Sequence, residues 1–404
     1  MPKNSPRSAD LRISRLEVTN FKSLVDLKLD LSKFSCLIGL NGSGKSTVLQ
    51  FLDFLAQLVR GNITEWLDER NWKSGEILSK WATGPEITFC VHLVEEDGSG
   101  RAGTWAASYN PTTRSCSQER IEMGDFVLES DPQVIRCRRS KRGAKPAFKP
   151  WESPANFTFE GSVLSILKDE LLPASIQTCK RFFLLTESLD TLTPERLRQR
   201  TRTAEGSLGH GGRNLSAFLF ELEAGGRLEL SARLRKAYPN FRNVVAKSIR
   251  SGWKQFHVNE DFGRNRLRTQ AAHVNDGTLR LIAILAELAS SNRFLLFDEI
   301  ENGINPELIE FVIDSLVATK QQVLVTTHSP LILNYLDDDT ARNGVIYLYR
   351  TKSGSTRAIP FFEIPSQAEK LKVMGPGEAF VDTRLAELTD EIARLKRNEP
   401  APER

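Results

Sequence analysis

"FSCLIGLNGSGKSTVLQFL", residues 34–52, decides the architecture. Its front end, Phe34 to Ile38, is a short apolar run of the kind that forms a buried strand. Its back end opens the apolar-rich helix "TVLQFLDFLAQLV". Between them, Gly39-Leu-Asn-Gly-Ser-Gly44-Lys45-Ser46 matches GxxxxGK[ST]. Glycines at these positions let backbone N–H groups turn inward around phosphate oxygens, and the helix that follows aims its positive end at them. The candidate phosphate-binding residues are Asn41, Gly42, Ser43, Gly44, Lys45, Ser46 and Thr47. Lys45 is placed to reach the β- and γ-phosphates of ATP, and Ser46 to offer a hydroxyl to Mg²⁺.

A second strand-and-tip pattern is "RFLLFDEIENGINPE", residues 293–307. Four apolar residues end in Asp298 and Glu299. A carboxylate at a buried strand tip suits a Mg²⁺ contact, assigned to Asp298. Glu299 is turned to the other side and is the candidate to polarise an attacking water. A third strand, in "QVLVTTHSP" (322–330), ends in Thr326-Thr327-His328. His328 falls on the side of an open α/β sheet where ligands collect, and is the candidate partner of the γ-phosphate or the water. Both strands are continuous apolar runs, which fits a parallel sheet buried on both faces.

The helix "AAHVNDGTLRLIAILAEL" (271–288) begins with an over-supply of small and polar residues, Asn275-Asp276-Gly277-Thr278. One capping residue would start it. The P-loop, the Asp-Glu pair and the histidine supply one half of an ATP site and leave one side of the γ-phosphate uncovered. A helix N-terminus with a glycine suits that side.

In that order these motifs resemble the ABC-type ATPases of the SMC/RecF superfamily, and more closely the AAA-21/AAA-15 group of RecF-like and OLD-like ATPases. The likeness is carried by residues 12–60 and 273–350, with looser echoes in "GRNLSAFLFELE" and "LRKAYPNF". It implies a homodimer, open to higher assembly, whose two heads sandwich two ATP molecules head to tail. Asn275, Asp276 and Gly277 would then contact the partner's ATP, departing from the usual Ser-Gly-Gly, and Asn302 to Asn305 would cross the interface. The resemblance further implies a switch ATPase that controls DNA binding or a separately encoded effector, a nuclease or toxin, in anti-phage defence. DNA repair of the RecF type is the alternative, and a transporter subunit a remoter one. About 55 residues follow "GVIYLYR" without clustered acids, so no Toprim-type nuclease activity is expected.

The expected fold is therefore α/β. It is an ABC-type P-loop NTPase head with a mixed or parallel core sheet, an antiparallel β subdomain and an inserted, mainly helical region. The boundaries read as a disordered tail (1–10), the first part of the head (11–60), the β subdomain (61–155) and the helical insertion (156–265). The second part of the head (266–350), a C-terminal extension (351–397) and a tail (398–404) follow. Leu385, Leu388, Ile392 and Leu395 form one stripe expected to pack on the chain's own head.

The 404 residues carry 55 Lys+Arg against 51 Asp+Glu, a net charge of +4 too mild to argue nucleic-acid binding by itself. The basic run "RCRRSKRGAKPAFK" (136–149) is the candidate nucleic-acid contact, through Arg136, Arg138, Arg139, Lys141 and Arg142, and "RLRQRTRT" (196–203) is a candidate extension of it. Five scattered cysteines without CxxC spacing point to a reducing cytoplasm and no zinc site. No segment reaches 18 apolar residues, so no membrane association is expected.

Overall fold

The computed structural model describes residues 10–81, 84–96, 103–140, 148–155, 158–190, 192–384, 387–388, 391–392 and 394. Of the tails read at 1–10 and 398–404, all but Asp10 lie outside the described residues, as do Leu385 and Leu395 of the C-terminal stripe.

In chain order the strands begin with β1 (Leu11–Phe21), β2 (Leu24–Asp30), β3 (Phe34–Ile38), β4 (Ile87–Glu95), β5 (Gly103–Asn110) and β6 (Ser115–Met123). Next come β7 (Phe126–Ser130), β8 (Val134–Arg139), β9 (Trp151–Pro154), β10 (Thr186–Leu189), β11 (Phe241–Ser248) and β12 (Lys254–Phe262). The last are β13 (Asn265–Gln270), β14 (Phe294–Phe297), β15 (Gln322–Thr326), β16 (Val345–Arg350) and β17 (Thr356–Pro360). Five helices position the site: α1 (Lys45–Arg60), α2 (Ala174–Leu184), α3 (Ala224–Ala237), α4 (Asp276–Leu288) and α5 (Pro306–Val317).

The core sheet has six strands in the order β10-β14-β15-β3-β16-β17. All its pairs are parallel except β16 with β17. Every residue of β3, β14 and β15 is buried, which explains why these strands read as unbroken apolar runs. Alternate side chains enter two different cores. Leu37, Phe294, Leu296 and Leu324 join α1 and α2, whereas Cys36, Leu295, Phe297 and Val325 join α4 and α5.

An eight-stranded antiparallel sheet, β2-β1-β4-β5-β6-β7-β8-β9, closes over the far side of α1. Phe51 and Phe54 of α1 meet Phe21, Phe89 and Tyr109 of this sheet, mostly edge to face. The hairpin β1–β2 belongs to this sheet, so its strands cross the boundary read at residue 60. Gln322 at the start of β15 ties β1 to the core sheet, donating to Ile13 O (2.7 Å) and accepting from Ile13 N (2.8 Å).

The stretch read as a helical insertion differs in its second half. Beyond α3, a three-stranded antiparallel sheet, β11-β12-β13, occupies Phe241 to Gln270. Phe241, Phe256 and Val258 are buried from one face of it, and antiparallel pairing along all three strands makes this segment sheet and not helix.

Farther along α1 a buried ionic cluster fixes the helix. Arg70 Nη2 lies 2.9 Å from Asp53 Oδ2 and 3.1 Å from Asp190 Oδ2. Gln57 Nε2 and Trp66 Nε1 donate to the same Asp53 at 2.7 and 2.6 Å. Asp190 follows β10, so the cluster pins α1 to the strand neighbouring β14. Removing one member of such a cluster strands the other charges away from water. Arg70→Ala is therefore expected to cost about 3–5 kcal/mol, checked as a lower urea midpoint at unchanged slope.

Candidate functional site

The parallel strands β3, β14 and β15 end at one edge, and the three chemical motifs follow their last residues. The loop after β3 needs its glycines. Gly39, Gly42 and Gly44 have φ of 145°, 76° and 108°. A Cβ on Gly39 would overlap Leu348 O, and one on Gly44 would come within 2.8 Å of Thr356 Cγ2. Gly42 faces open space. Thr356 at the start of β17 supports the loop from beneath, donating to Ser43 O at 2.9 Å.

Lys45 is buried, and its Nζ donates to Gly39 O (2.9 Å) and Leu40 O (3.2 Å). Burial lowers its pKa from the usual lysine value, and the carboxylates of Asp298, Glu299 and Glu301 pull it back up. Three acids therefore act on the loop lysine. Asn41, Gly42 and Ser46 are exposed at the mouth, Gly44 and Thr47 half-buried. Ser43 Oγ is buried without a hydrogen-bond partner among the described residues. The first turn of α1 has no acidic residue and no side-chain cap, so its N–H groups face the loop unneutralised. A hydroxyl at Ser46 and a carboxylate at Asp298 are hard oxygen donors of the kind Mg²⁺ takes.

Thr326, the last residue of β15, organises the Asp-Glu pair. Its Oγ1 donates to Asp298 Oδ1 (2.5 Å) and accepts from Glu299 N (2.8 Å). Glu299 has φ 47°, a left-handed conformation rare for a side chain of this size. The turn exposes its carboxylate, and Glu299 Oε1 lies 3.7 Å from His328 Nε2. A cavity of about 130 Å³ adjoins Glu299, lined also by Leu189, Arg280, Phe297, Asp298 and Asn302 among others.

Two residues with clear roles here carry no motif. Glu301 Oε1 accepts from Thr327 Oγ1 (2.9 Å), His328 N (2.9 Å) and Ser329 N (3.1 Å). It thus fixes the backbone on which His328 stands. Arg280 of α4 donates to Leu192 O (3.2 Å) and Asn302 O (2.6 Å), joining that helix to the loop after Glu299. The second carboxylate in "DEIE" is the only sequence signal for Glu301, and Arg280 has none.

Asn275, Asp276 and Gly277 make their contacts elsewhere. Asn275 Oδ1 accepts from Thr278 N at 2.8 Å and caps α4. Asp276 Oδ1 lies 2.5 Å from Arg198 Nη2, which also donates to Val274 O at 2.7 Å. Gly277 serves the chain's own loop, since a Cβ there would lie 3.1 Å from Gly303 O. Asn275 and Asp276 are nonetheless exposed.

The basic run fares differently. Arg136, Arg138 and Arg139 lie on β8 and face Glu152 (3.8 Å), Glu129 (2.9 Å) and Asp125 (3.6 Å). Each of these three arginines already has a carboxylate opposite. Lys141 and Arg142 lie outside the described residues. All five cysteines are free, and no cluster of metal-ligating side chains occurs among the described residues. No described helix is long and apolar enough to cross a membrane.

Fold and site together define an AAA-type ATPase domain with an SMC-head-like fold. Residues 125–334, more than half of the chain, match the family described as "AAA domain, putative AbiEii toxin, Type IV TA system". The chain belongs to that family. Residues 12–90 match a second description, "AAA ATPase domain". An OLD nuclease of Thermus scotoductus is 32% identical over 81 residues, a stretch that is 20% of this chain and 14% of that protein. Among solved structures, an Smc head bound to the C-terminal winged-helix domain of ScpA superposes with a TM-score of 0.53 at 14% identity, covering 86% of this chain and 96% of that one. An Smc head with an extended coiled coil, bound to the C-terminal domain of ScpA and derived from Pyrococcus furiosus, gives 0.50 at 12% identity, covering 90% and 100%. At such identity these likenesses carry the fold alone.

Gly44→Ala tests the loop. The added Cβ meets Thr356 at a φ that only glycine adopts freely. The expected outcome is a loss of about 1–3 kcal/mol and loss of binding to a fluorescent ATP analogue, read by thermal unfolding and fluorescence titration.

Proposed function

We propose that this chain is an ATP-hydrolysing switch whose two conformations are a separated head and a pair of heads closed around ATP. The observation that carries the reading is the convergence on one sheet edge of Lys45, the Asp298–Glu299 pair and His328.

Backbone N–H groups of residues 41–47 and the amine of Lys45 bind the phosphates. Lys45 exchanges its two loop carbonyls for phosphate oxygens, a stronger charge-assisted contact. Ser46 and Asp298 would hold Mg²⁺, which would supply neutralisation of charge on the transferred phosphoryl group. Glu299 accepts a proton from the attacking water. His328, beside Glu299, hydrogen-bonds the γ-phosphate or that water, and Glu301 keeps it there through the backbone.

The other side of the γ-phosphate is covered by a second copy. Asn275 and Gly277 at the start of the partner's α4 supply N–H groups and the positive end of the helix. Asp276 is held off the phosphate by its pairing with Arg198, which removes the repulsion an acid would otherwise bring. The pairing of an AAA domain with a type IV toxin–antitoxin description supports a two-component system. In it the switch controls a separately encoded nuclease or toxin in anti-phage defence.

Glu299→Gln is expected to lower steady-state phosphate release by about two to three orders of magnitude while ATP still binds. With ATP and Mg²⁺ the variant accumulates as a dimer in light scattering. Unchanged turnover would remove Glu299 as the base, and a variant that stays monomeric while binding ATP would remove the two-head arrangement.

A further inference from the structure

The sheet β11-β12-β13 presents one face to the core and the other to solvent. Cross-strand register sorts its residues. Val244 pairs with Val258, Val258 with Thr269, and Ala246 with Phe256, all on the core face. Lys247 pairs with Gln255, Val245 with His257, Asn259 with Arg268 and Asp261 with Arg266, all on the opposite face. Lys247, Arg266 and Arg268 are exposed.

The segment 241–270 holds seven Lys/Arg against two acids. On the outer face the single acid, Asp261, is shared between Arg242 (3.6 Å) and Arg266 (3.5 Å). No carboxylate among the described residues lies within ion-pair distance of Lys247 or Arg268. The amides are matched with one another: Asn259 donates to Asn243 at 2.7 Å and Gln255 to Gln270 at 3.3 Å. His257 lies between these two cations, with Arg268 Nη2 at 3.3 Å from its Nδ1. Burial lowers its pKa, and Arg268 and Lys247 lower it further, as an unneutralised positive field requires. Nothing comparable holds on β8, where Arg136, Arg138 and Arg139 are each opposed by an acid.

We propose that the outer face of β11-β12-β13 is a nucleic-acid surface that takes the phosphate backbone of a duplex through Arg242, Lys247, Arg266 and Arg268. Charge complementarity selects a polyanion, since four cations stand against one carboxylate on this face. The face carries amides and guanidinium groups but no Phe, Tyr or Trp, so it offers phosphate contacts and no stacking platform. That favours a duplex over a single strand. The Arg-rich run 196–203 reaches the same sheet, because Thr201 bridges to Lys254 at the start of β12. Arg202 there lies over the Trp253 ring, its guanidinium carbon 5.1 Å from the ring centre, so that ring is already faced by a cation and lies off the outer face itself. The surface therefore extends from the outer face onto this corner.

The test uses the full chain without nucleotide, so that its outcome is independent of the ATPase reading. A fluorescein-labelled duplex of arbitrary sequence is titrated in fluorescence anisotropy between about 50 and 200 mM salt. The variant Lys247→Gln/Arg266→Gln/Arg268→Gln is expected to bind at least about tenfold more weakly, with a salt slope lower by about two to three, one for each phosphate no longer neutralised. Lys247→Glu alone, at an exposed position, gives the same direction if the triple variant folds poorly. Arg136→Gln/Arg138→Gln/Arg139→Gln is expected to leave affinity within about twofold. Wild-type affinity in Lys247→Glu and the triple variant overturns the proposal, as does a wild-type chain that binds no duplex at about 50 mM salt. Equal or tighter binding of oligo-dT overturns the duplex assignment. Polyglutamate competing as well as the duplex assigns the face to an acidic protein instead.

Discussion

Thr326 Oγ1 touches the neighbouring strand end twice, donating to Asp298 and accepting from the N–H of Glu299. The chemistry of the site depends on that hydroxyl being level with both. It is level because β14 and β15 pair in parallel with Phe297 opposite Val325, and β15 pairs in parallel with β3 with Thr326 opposite Leu37. Three strands running one way put their last residues, and hence the P-loop, the carboxylates and His328, on one edge. An antiparallel partner would send one motif to the far side of the molecule. The bend at Glu299 also depends on this register, because its N–H is held by the next strand while its side chain turns outward.

The register is enforced by burial on both faces. A one-residue slip of β14 would exchange Phe294 and Leu296 with Leu295 and Phe297 between two separate cores. The aromatic cluster around Phe51 and Phe54 and the Asp53–Arg70–Asp190 ions hold α1 against one of those faces. Since α1 begins at Lys45, the same packing that fixes the sheet aims the helix at the loop. The motifs are local, but their meeting is a property of the core.

That distinction explains what could be read from residues alone. The P-loop was legible because strand, glycines, lysine and helix are contiguous, and no distant residue is needed to recognise them. The meeting of Asp298, Glu299 and His328 at one sheet edge was legible because each lies just past a largely apolar strand. Glu301 was not, since its role lies in hydrogen bonds to residues 327–329 across the sheet edge, and sequence separation hides such contacts. The same holds for Arg280 with Asn302 and for Asp276 with Arg198. Around Arg136, Arg138 and Arg139 the contacts are hidden for a related reason. Counting charges along one strand ignores the neighbouring strands that carry Glu129 and Glu152. The sheet at 241–270 was missed because its alternation sits between helices, and its edge strand β13 is polar almost throughout.

The position of that sheet gives the molecule a short mechanical path. Between Gln270, which ends β13, and Asn275, which caps α4, lie only Ala271 to Val274, with Ala271 and Val274 buried. On the core face, Thr278 of α4 donates to Tyr238 OH at 3.0 Å just beyond α3. Tyr238, Phe241, Val258, Thr269, Asn275 and Thr278 help line a cavity of about 250 Å³ between the sheet and the start of α4. A cavity of that size leaves room for the sheet to shift against the helix without breaking a packed core. The anchored linker means that such a shift moves the Asn275 cap as well. Arg280, one turn into the same helix, joins it to Asn302 and so to the loop that follows Glu299. The outer face of β11-β12-β13 is therefore joined, through four linker residues and the first turn of one helix, to both the exposed start of α4 and the sheet edge that carries Asp298 and Glu299.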